Sequence, residues 1–343
     1  MSEQKNQEWQ PTNPDYDPAK PMQVGGQAVI EGVMMRAPGA VATAVRRKDG
    51  RIVVRKEGYR SVTERYRWMN VPVLRGAVGL VDMMVLGIRS LNFSAEVAML
   101  DEDPADRTKE GRNGEPKKES SVALWLSLAV ALIIGVGVFF AAPLWITTRL
   151  FTVDQSALAF NLITGAVRIT ILLMYLGAIS FMRDVRRLFE YHGAEHKSVF
   201  AYELRSPLES GPVAGYSRFH PRCGTSFLLI VVVVAIVSFA LVDALLIAIL
   251  GRLSLAVRLA VHLPLIPVVG GAAYEVIKFS ARHSTTTWGR LLIAPGLWLQ
   301  RITTKEPDAP QIEVALAALQ CALGQADASL YPLHAPEAAL TKS

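Results

Sequence analysis

The residues best suited to chemistry lie in one central stretch. Tyr191-His192-Gly193-Ala194-Glu195-His196-Lys197 contains two histidines four residues apart with a glutamate beside the second. On a helix, four residues is about one turn, so His192 and His196 share a face and both imidazoles can reach one metal ion. Glu195 lies near that face and is placed to take a proton from the reacting group. The order is that of the inverted zinc-protease motif, H-x-x-E-H, which is short and weak by itself. A second element is Phe219-His220-Pro221-Arg222-Cys223-Gly224. His220 and Cys223, three apart, form a plausible half of a metal site. A third is Glu275, in Tyr274-Glu275-Val276-Ile277-Lys278. Each has a plainer reading. The two histidines can be interfacial, Cys223 a small packing residue, His220 a helix cap, and Glu275 a partner of Lys278 or of a central arginine.

The elements that must carry these residues are apolar. Of 343 residues 51% are hydrophobic and 19% charged. That excludes a disordered chain, and two cysteines exclude a disulfide-stapled domain. The uncharged run Val122–Thr148 exceeds the ~20 residues that cross a bilayer core as a helix. Gln155–Met182 carries only Arg168, and Cys223–Gly251 only Asp243. Leu253–Ala281 is weaker, with Pro264, Pro267, Gly270-Gly271 and several charges, and reads as a fourth span, broken or kinked. Trp288–Leu299, interrupted by Pro295-Gly296, reads as interfacial or re-entrant rather than spanning. The fold class expected is mainly α, a polytopic membrane protein with about four transmembrane helices, a small N-terminal β-hairpin unit and amphipathic interfacial helices.

Charge sets the expected orientation. The segment between the second and third runs holds Arg183, Arg186, Arg187, Lys197, Arg205, Arg218 and Arg222, whereas the two short turns offer only Arg149 and Arg252. By the positive-inside rule both termini and this loop face the cytoplasm of an inner-membrane protein. The span between Arg36 and Arg75 agrees, with 11 basic and 3 acidic residues. The first residues lack a basic stretch followed by an apolar core, which predicts no cleavable signal peptide. The second, third and fourth runs then bring His192, His196, His220, Cys223 and Glu275 to one membrane level. An isolated charge in lipid is costly, so Arg168 and Asp243, at similar expected depths, are predicted to pair.

The remaining organisation follows. Residues 1–23 are expected to be a disordered tail, and 24–72 a β-rich unit in which Asp49-Gly50 marks a hairpin turn. Residues 73–100 read as an amphipathic interfacial helix, 101–120 as a charged linker and 121–299 as the membrane domain, with the loop expected to bear the metal at 183–222. Residues 300–325 hold a docking helix, Gln311–Leu323, and 326–343 a flexible tail. The segment from Gly25 to Arg36 lacks the order of a nucleotide-binding loop. Its Glu31 and Arg36 either complete the metal site, hold an anionic headgroup, or open the β-unit as a plain turn.

Taken together, GGQAVIEGVMMR, VPVLRG, YHGAEHKSVFAYE, RFHPRCGTSF, AAYEVIKFSAR and PGLWLQRITTKEP resemble the bacterial domain-of-unknown-function family 1385 over about Val24 to Leu323. Its members are often labelled metal-dependent membrane enzymes. The resemblance implies that His192, Glu195, His196, His220 and Cys223 form the site, and it implies no substrate. The expectation is therefore a metal-dependent hydrolase at the cytoplasmic membrane interface. Its divalent metal, zinc by donor type, is held by His192 and His196 with Glu275, His220 or Cys223, and Glu195 is the base. The substrate is expected to be a membrane-embedded peptide or a lipid-linked molecule. Two alternatives stay open: a non-catalytic metal-clamped scaffold or transport component, and a protein that binds anionic lipid headgroups through its basic N-terminal segment. The bilayer is the expected partner, and no nucleic acid is expected.

Overall fold

The computed structural model describes residues 24–101, 121–151, 156–221, 223–282 and 286–333. The tail 1–23 and nearly all of the linker 101–120 lie outside them.

Four short strands, β1 (Gly25–Val29), β2 (Gly32–Ala37), β3 (Ala40–Arg46) and β4 (Ile52–Gly58), form an antiparallel meander in sequence order. Alternation explains how the sheet is used, because successive side chains point to opposite faces. Val33, Met35, Ala42 and Ala44 face one core. Met34 and Val41 face a second, with Leu86. Val29, Val45 and Val53 also pack on that side, with Phe93 and Val97. The β3–β4 connection turns at Asp49-Gly50, where Gly50 takes φ +87°, the left-handed region open to glycine.

The helix α1 (Leu74–Leu100) covers one sheet face. The other is covered by α5 (Arg183–Glu203) and α9 (Ala309–Leu323). The expected docking helix is in fact central. Ile312, Val314, Ala315, Leu319 and Cys321 are all almost fully buried. It is bounded by an Asp308–Gln311 capping box and by Gly324 in the left-handed conformation. The tail expected to be flexible from 326 onward begins with a packed stretch, since the Val54 N–H donates to the Tyr331 carbonyl.

The apolar part comprises α2 (Ser121–Val136), joined through a π-turn at Gly137–Ala141 to α3 (Ala142–Leu150), then α4 (Ala157–Ile179), α6 (Thr225–Leu250), α7 (Leu255–Arg282) and α8 (Thr287–Thr303). Ala129–Leu150, Ala157–Ile179, Phe227–Leu250 and Leu255–Ser280 are long and apolar enough to cross a membrane. They mark a membrane protein. The fourth is one continuous helix through Pro264 and Pro267, not a broken one. Outward-facing Leu132, Ile133, Leu241 and Ile249 are about two-thirds exposed in the protein alone, as side chains in contact with lipid would be.

The predicted Arg168–Asp243 pair does not form. Asp243 is fully buried and is held by Arg258 in an ion pair, by His262 Nε2 at 2.9 Å and by Asn161 Nδ2 at 2.8 Å. Arg258 and His262 are one turn apart on α7 and reach the same carboxylate. On α4 the residue level with Asp243 is Asn161, two turns before Arg168. Arg168 instead donates to the Phe139 carbonyl at 3.1 Å and lies over the Phe140 ring. Both partners belong to the π-turn, where the widened helix changes the aim of its carbonyls.

Candidate metal centre

Three donors converge where α5, the entry to α6 and the end of α8 meet. His192 and His196 occupy successive turns of α5, with ring centroids 4.4 Å apart. Gly193 between them lets the chain after α8 pass close by, because a Cβ there would sit 2.1 Å from the Lys305 carbonyl oxygen. Cys223 precedes α6, and its N–H donates to the His220 carbonyl at 3.2 Å. One donor atom from each of His192, His196 and Cys223 lies within 4.8 Å of the others.

The hydrogen bonds fix which atoms face inward. His192 Nδ1 meets the Thr303 carbonyl at 2.8 Å, and His196 Nδ1 meets the Arg218 carbonyl at 2.5 Å. A carbonyl can only accept, so both Nδ1 atoms carry the proton. The two Nε2 atoms then turn toward the sulfur. His192 Nε2 is 3.2 Å from Cys223 Sγ. His196 Nε2 is buried and has no hydrogen-bond partner among the described residues. Metal-ligating imidazoles commonly hold their outer N–H on a carbonyl in this way, which fixes ring orientation and raises basicity.

Glu195 is buried against β1. Its Oε1 accepts the Gly26 N–H at 2.9 Å, and its Oε2 lies 3.5 Å from His196 Nε2. Burial opposes a charged His196. The Cys223 thiolate, Glu195 and the Arg218 carbonyl outweigh it and raise the imidazole to about 9. Burial likewise opposes the Cys223 thiolate, yet His196 and His192 hold the thiol well below its usual range.

The other expected ligands are placed differently. The His220 ring is 5.7 Å from that of His196 and 4.5 Å from that of Phe200, and its Nε2 lies 3.3 Å from Glu203. Gln300 brackets its backbone N–H and carbonyl, each at 2.8 Å. His220 thus walls the trio without joining it. Glu275 is engaged by Arg75 through both carboxylate oxygens, one contact at 2.7 Å, in the α1–α7 contact. It lies outside the donor group. Glu31 accepts from Arg187 at 2.6 Å and from the Tyr191 hydroxyl at 3.2 Å, bracing α5 just before His192. Arg36 reaches Met83 Sδ. Neither belongs to the donor group. The sequence reading missed Gly26, Glu203, Gln300 and the carbonyls of Thr303 and Arg218. Only Gly26 carried a signal, a glycine pair that makes no turn. A Cβ there would lie 2.8 Å from Glu195 Cγ.

The donor set fits a metal. Two imidazole nitrogens and a thiolate suit zinc, and three protein donors leave a position open. The buried His196 Nε2 is the observation that tests the fit, since among the described residues it has no hydrogen-bond partner and a bound ion would give it one.

Residues 71–325 match a family described as protein of unknown function, DUF1385. The chain belongs to the DUF1385 family. Its relative "Uncharacterized protein YqhQ" of Bacillus subtilis (strain 168) is 35% identical over 305 residues, covering 86% of this chain and 91% of that protein. No solved structure matches. All three donors and Glu195 fall within the DUF1385 match, whereas Gly26, which anchors Glu195, lies in the sheet before it.

Proposed function

We propose that this DUF1385 protein is a metal-dependent hydrolase, with His192, His196 and Cys223 holding a divalent ion, zinc by donor type, and Glu195 serving as general base. One observation carries the reading. Two Nδ1–H groups are fixed on backbone carbonyls so that two Nε2 atoms and one sulfur face a common point. Such an ion supplies a Lewis acid that polarises a carbonyl or phosphoryl oxygen. The chain's own residues supply the rest. Glu195 is held at Oε1 by Gly26, which leaves Oε2, on the His196 side, to accept a proton. The Arg218 and Thr303 carbonyls keep the imidazoles from rotating. We further propose an inner-membrane protein with both termini in the cytoplasm, acting on a membrane-embedded peptide or a lipid-linked molecule. The arginine-rich stretch from Arg183 to Arg222 supports that orientation.

The test begins with metal analysis of the full chain purified in detergent. One zinc per chain is expected, lost in His192→Ala, His196→Ala and Cys223→Ser and retained in Glu275→Gln and Glu195→Gln. A cobalt-loaded protein should show a thiolate charge-transfer band that Cys223→Ser abolishes. Membrane peptides and lipids of cells carrying wild type or Glu195→Gln are then compared, and the hydrolase predicts a species that accumulates in the variant. Retained metal with identical profiles would leave a structural clamp instead. Wild-type protein without metal would refute both.

A further inference from the structure

A second site lies on the opposite side of the sheet from the donor trio. A cleft of about 670 Å³ opens between α1, the chain that links β4 to α1, and α7. This size falls in the usual range of ligand sites, ~300–1,000 Å³. Its wall is apolar, with Val78, Val81, Val85 and Leu86 from α1 and Pro267 from α7. Val81 is 56% and Val85 41% exposed, so α1 turns valines outward rather than into a core. Pro267 sits near the middle of the candidate span Leu255–Ser280. The same cleft is lined by Arg60 and Arg89. Arg89 follows Val81 by eight residues, about 12 Å along a helix. Neither arginine has a hydrogen bond or an ion pair among the described residues. Two acids also line the cleft. Asp82 is committed, accepting the Tyr59 hydroxyl at 2.7 Å and the Val62 N–H at 3.1 Å. Glu57, the other acid, is exposed.

We propose that this cleft binds one anionic bilayer lipid, with an acyl chain along the valines and Pro267 and the phosphate at Arg60 and Arg89. Two features select that occupant. A wall shared with a candidate membrane span is open to bilayer lipid without desolvation from water. Arg89, displaced along α1 from Val78 and Val81, and Arg60, on the linking chain, give an otherwise apolar cleft a basic part, which matches a molecule with one charged end and one apolar end. The inference needs the membrane reading but not the metal, so it stands or falls apart from the hydrolase proposal. Sedimentation with membranes after an alkaline carbonate wash checks the membrane reading separately.

The experiment is native mass spectrometry of the full chain. The protein is delipidated in detergent and equilibrated with equal amounts of phosphatidylglycerol and phosphatidylcholine. Wild type should retain phosphatidylglycerol preferentially, by roughly fivefold per arginine. Arg60→Ala with Arg89→Ala should still carry a lipid but lose the preference. Both positions are exposed, so this arm does not depend on repacking. Val78→Trp, which fills the cleft, should lose both lipids while keeping its metal content and melting temperature. If it unfolds, the arginine arm decides. Equal retention of the two lipids by wild type, or an undiminished preference in the double variant, would overturn the proposal. So would inorganic phosphate binding alone, in lipid-free detergent, with the same arginine dependence, because that would make the cleft a soluble-anion site.

Discussion

Cys223 is the residue whose chemistry changes most with its surroundings. Burial disfavours its thiolate, but the two imidazoles more than compensate. Thiolates are the nucleophilic form of cysteine. Metal-free protein should therefore react with iodoacetamide at Cys223 quickly at neutral pH, and added zinc should slow it sharply. Cys321 is an internal control, since burial pushes its thiol up. Peptide mapping after brief labelling reads both. His196→Ala should slow Cys223 labelling in metal-free protein, because it removes the largest charge that favours the thiolate. Equal labelling rates in the two proteins would refute the coupling. At this scale the shared helix face of His192 and His196 was legible in the sequence from their spacing, whereas the approach of Cys223 to them appears only in the structure. The exclusion of His220 and Glu275 was not legible either, because both offer the right atoms. Only packing shows that those atoms are engaged by Glu203 and Arg75.

At the scale of elements, the α1–α7 contact explains residues that looked catalytic or merely flexible. A Cβ on Gly271 would fall 2.1 Å from the Val73 carbonyl oxygen, and one on Gly76 would fall 2.7 Å from Tyr274 Cβ. Val73 itself takes φ +67° and closes a tight turn in which the Leu74 N–H donates to the Pro72 carbonyl at 2.8 Å. A positive φ is strained for a β-branched residue, so surrounding contacts must hold it. Arg75–Glu275 is one such contact. Gly271→Ala should cost about 1–3 kcal/mol through overpacking. Gly79→Ala, with nothing within 4 Å, should be neutral or stabilising by up to about 1 kcal/mol. Thermal unfolding in detergent compares the pair. Glu275→Gln should lower the melting temperature while leaving metal content unchanged. Loss of metal in that variant would return Glu275 to the ligand set.

Two buried assemblies hold the whole molecule together, one in each part. In the apolar part, Asp243, Arg258 and His262 share no more than 1% exposure each. Removing one charge from such a pair leaves the other uncompensated, at about 3–5 kcal/mol. Asp243→Leu should be strongly destabilising, and Asp243→Leu with Arg258→Met should recover most of the loss in the same melting assay. No recovery would show that the cluster does more than balance charge. In the other part, α9 sits between the sheet and α5, so Leu319→Ala should cost about 2–5 kcal/mol. Because α5 carries two of the three donors, the same variant should bind metal less tightly. The sequence by itself determined the four apolar runs, the hairpin at Asp49-Gly50, helix α1 and the donor-bearing turn of α5, because each depends on local composition or period. Tertiary structure alone decided that α9 is core, that Asp243 meets Arg258 rather than Arg168, and that Gly26 holds Glu195. Those outcomes depend on which helix faces meet and at what height, and local pattern carries no record of either.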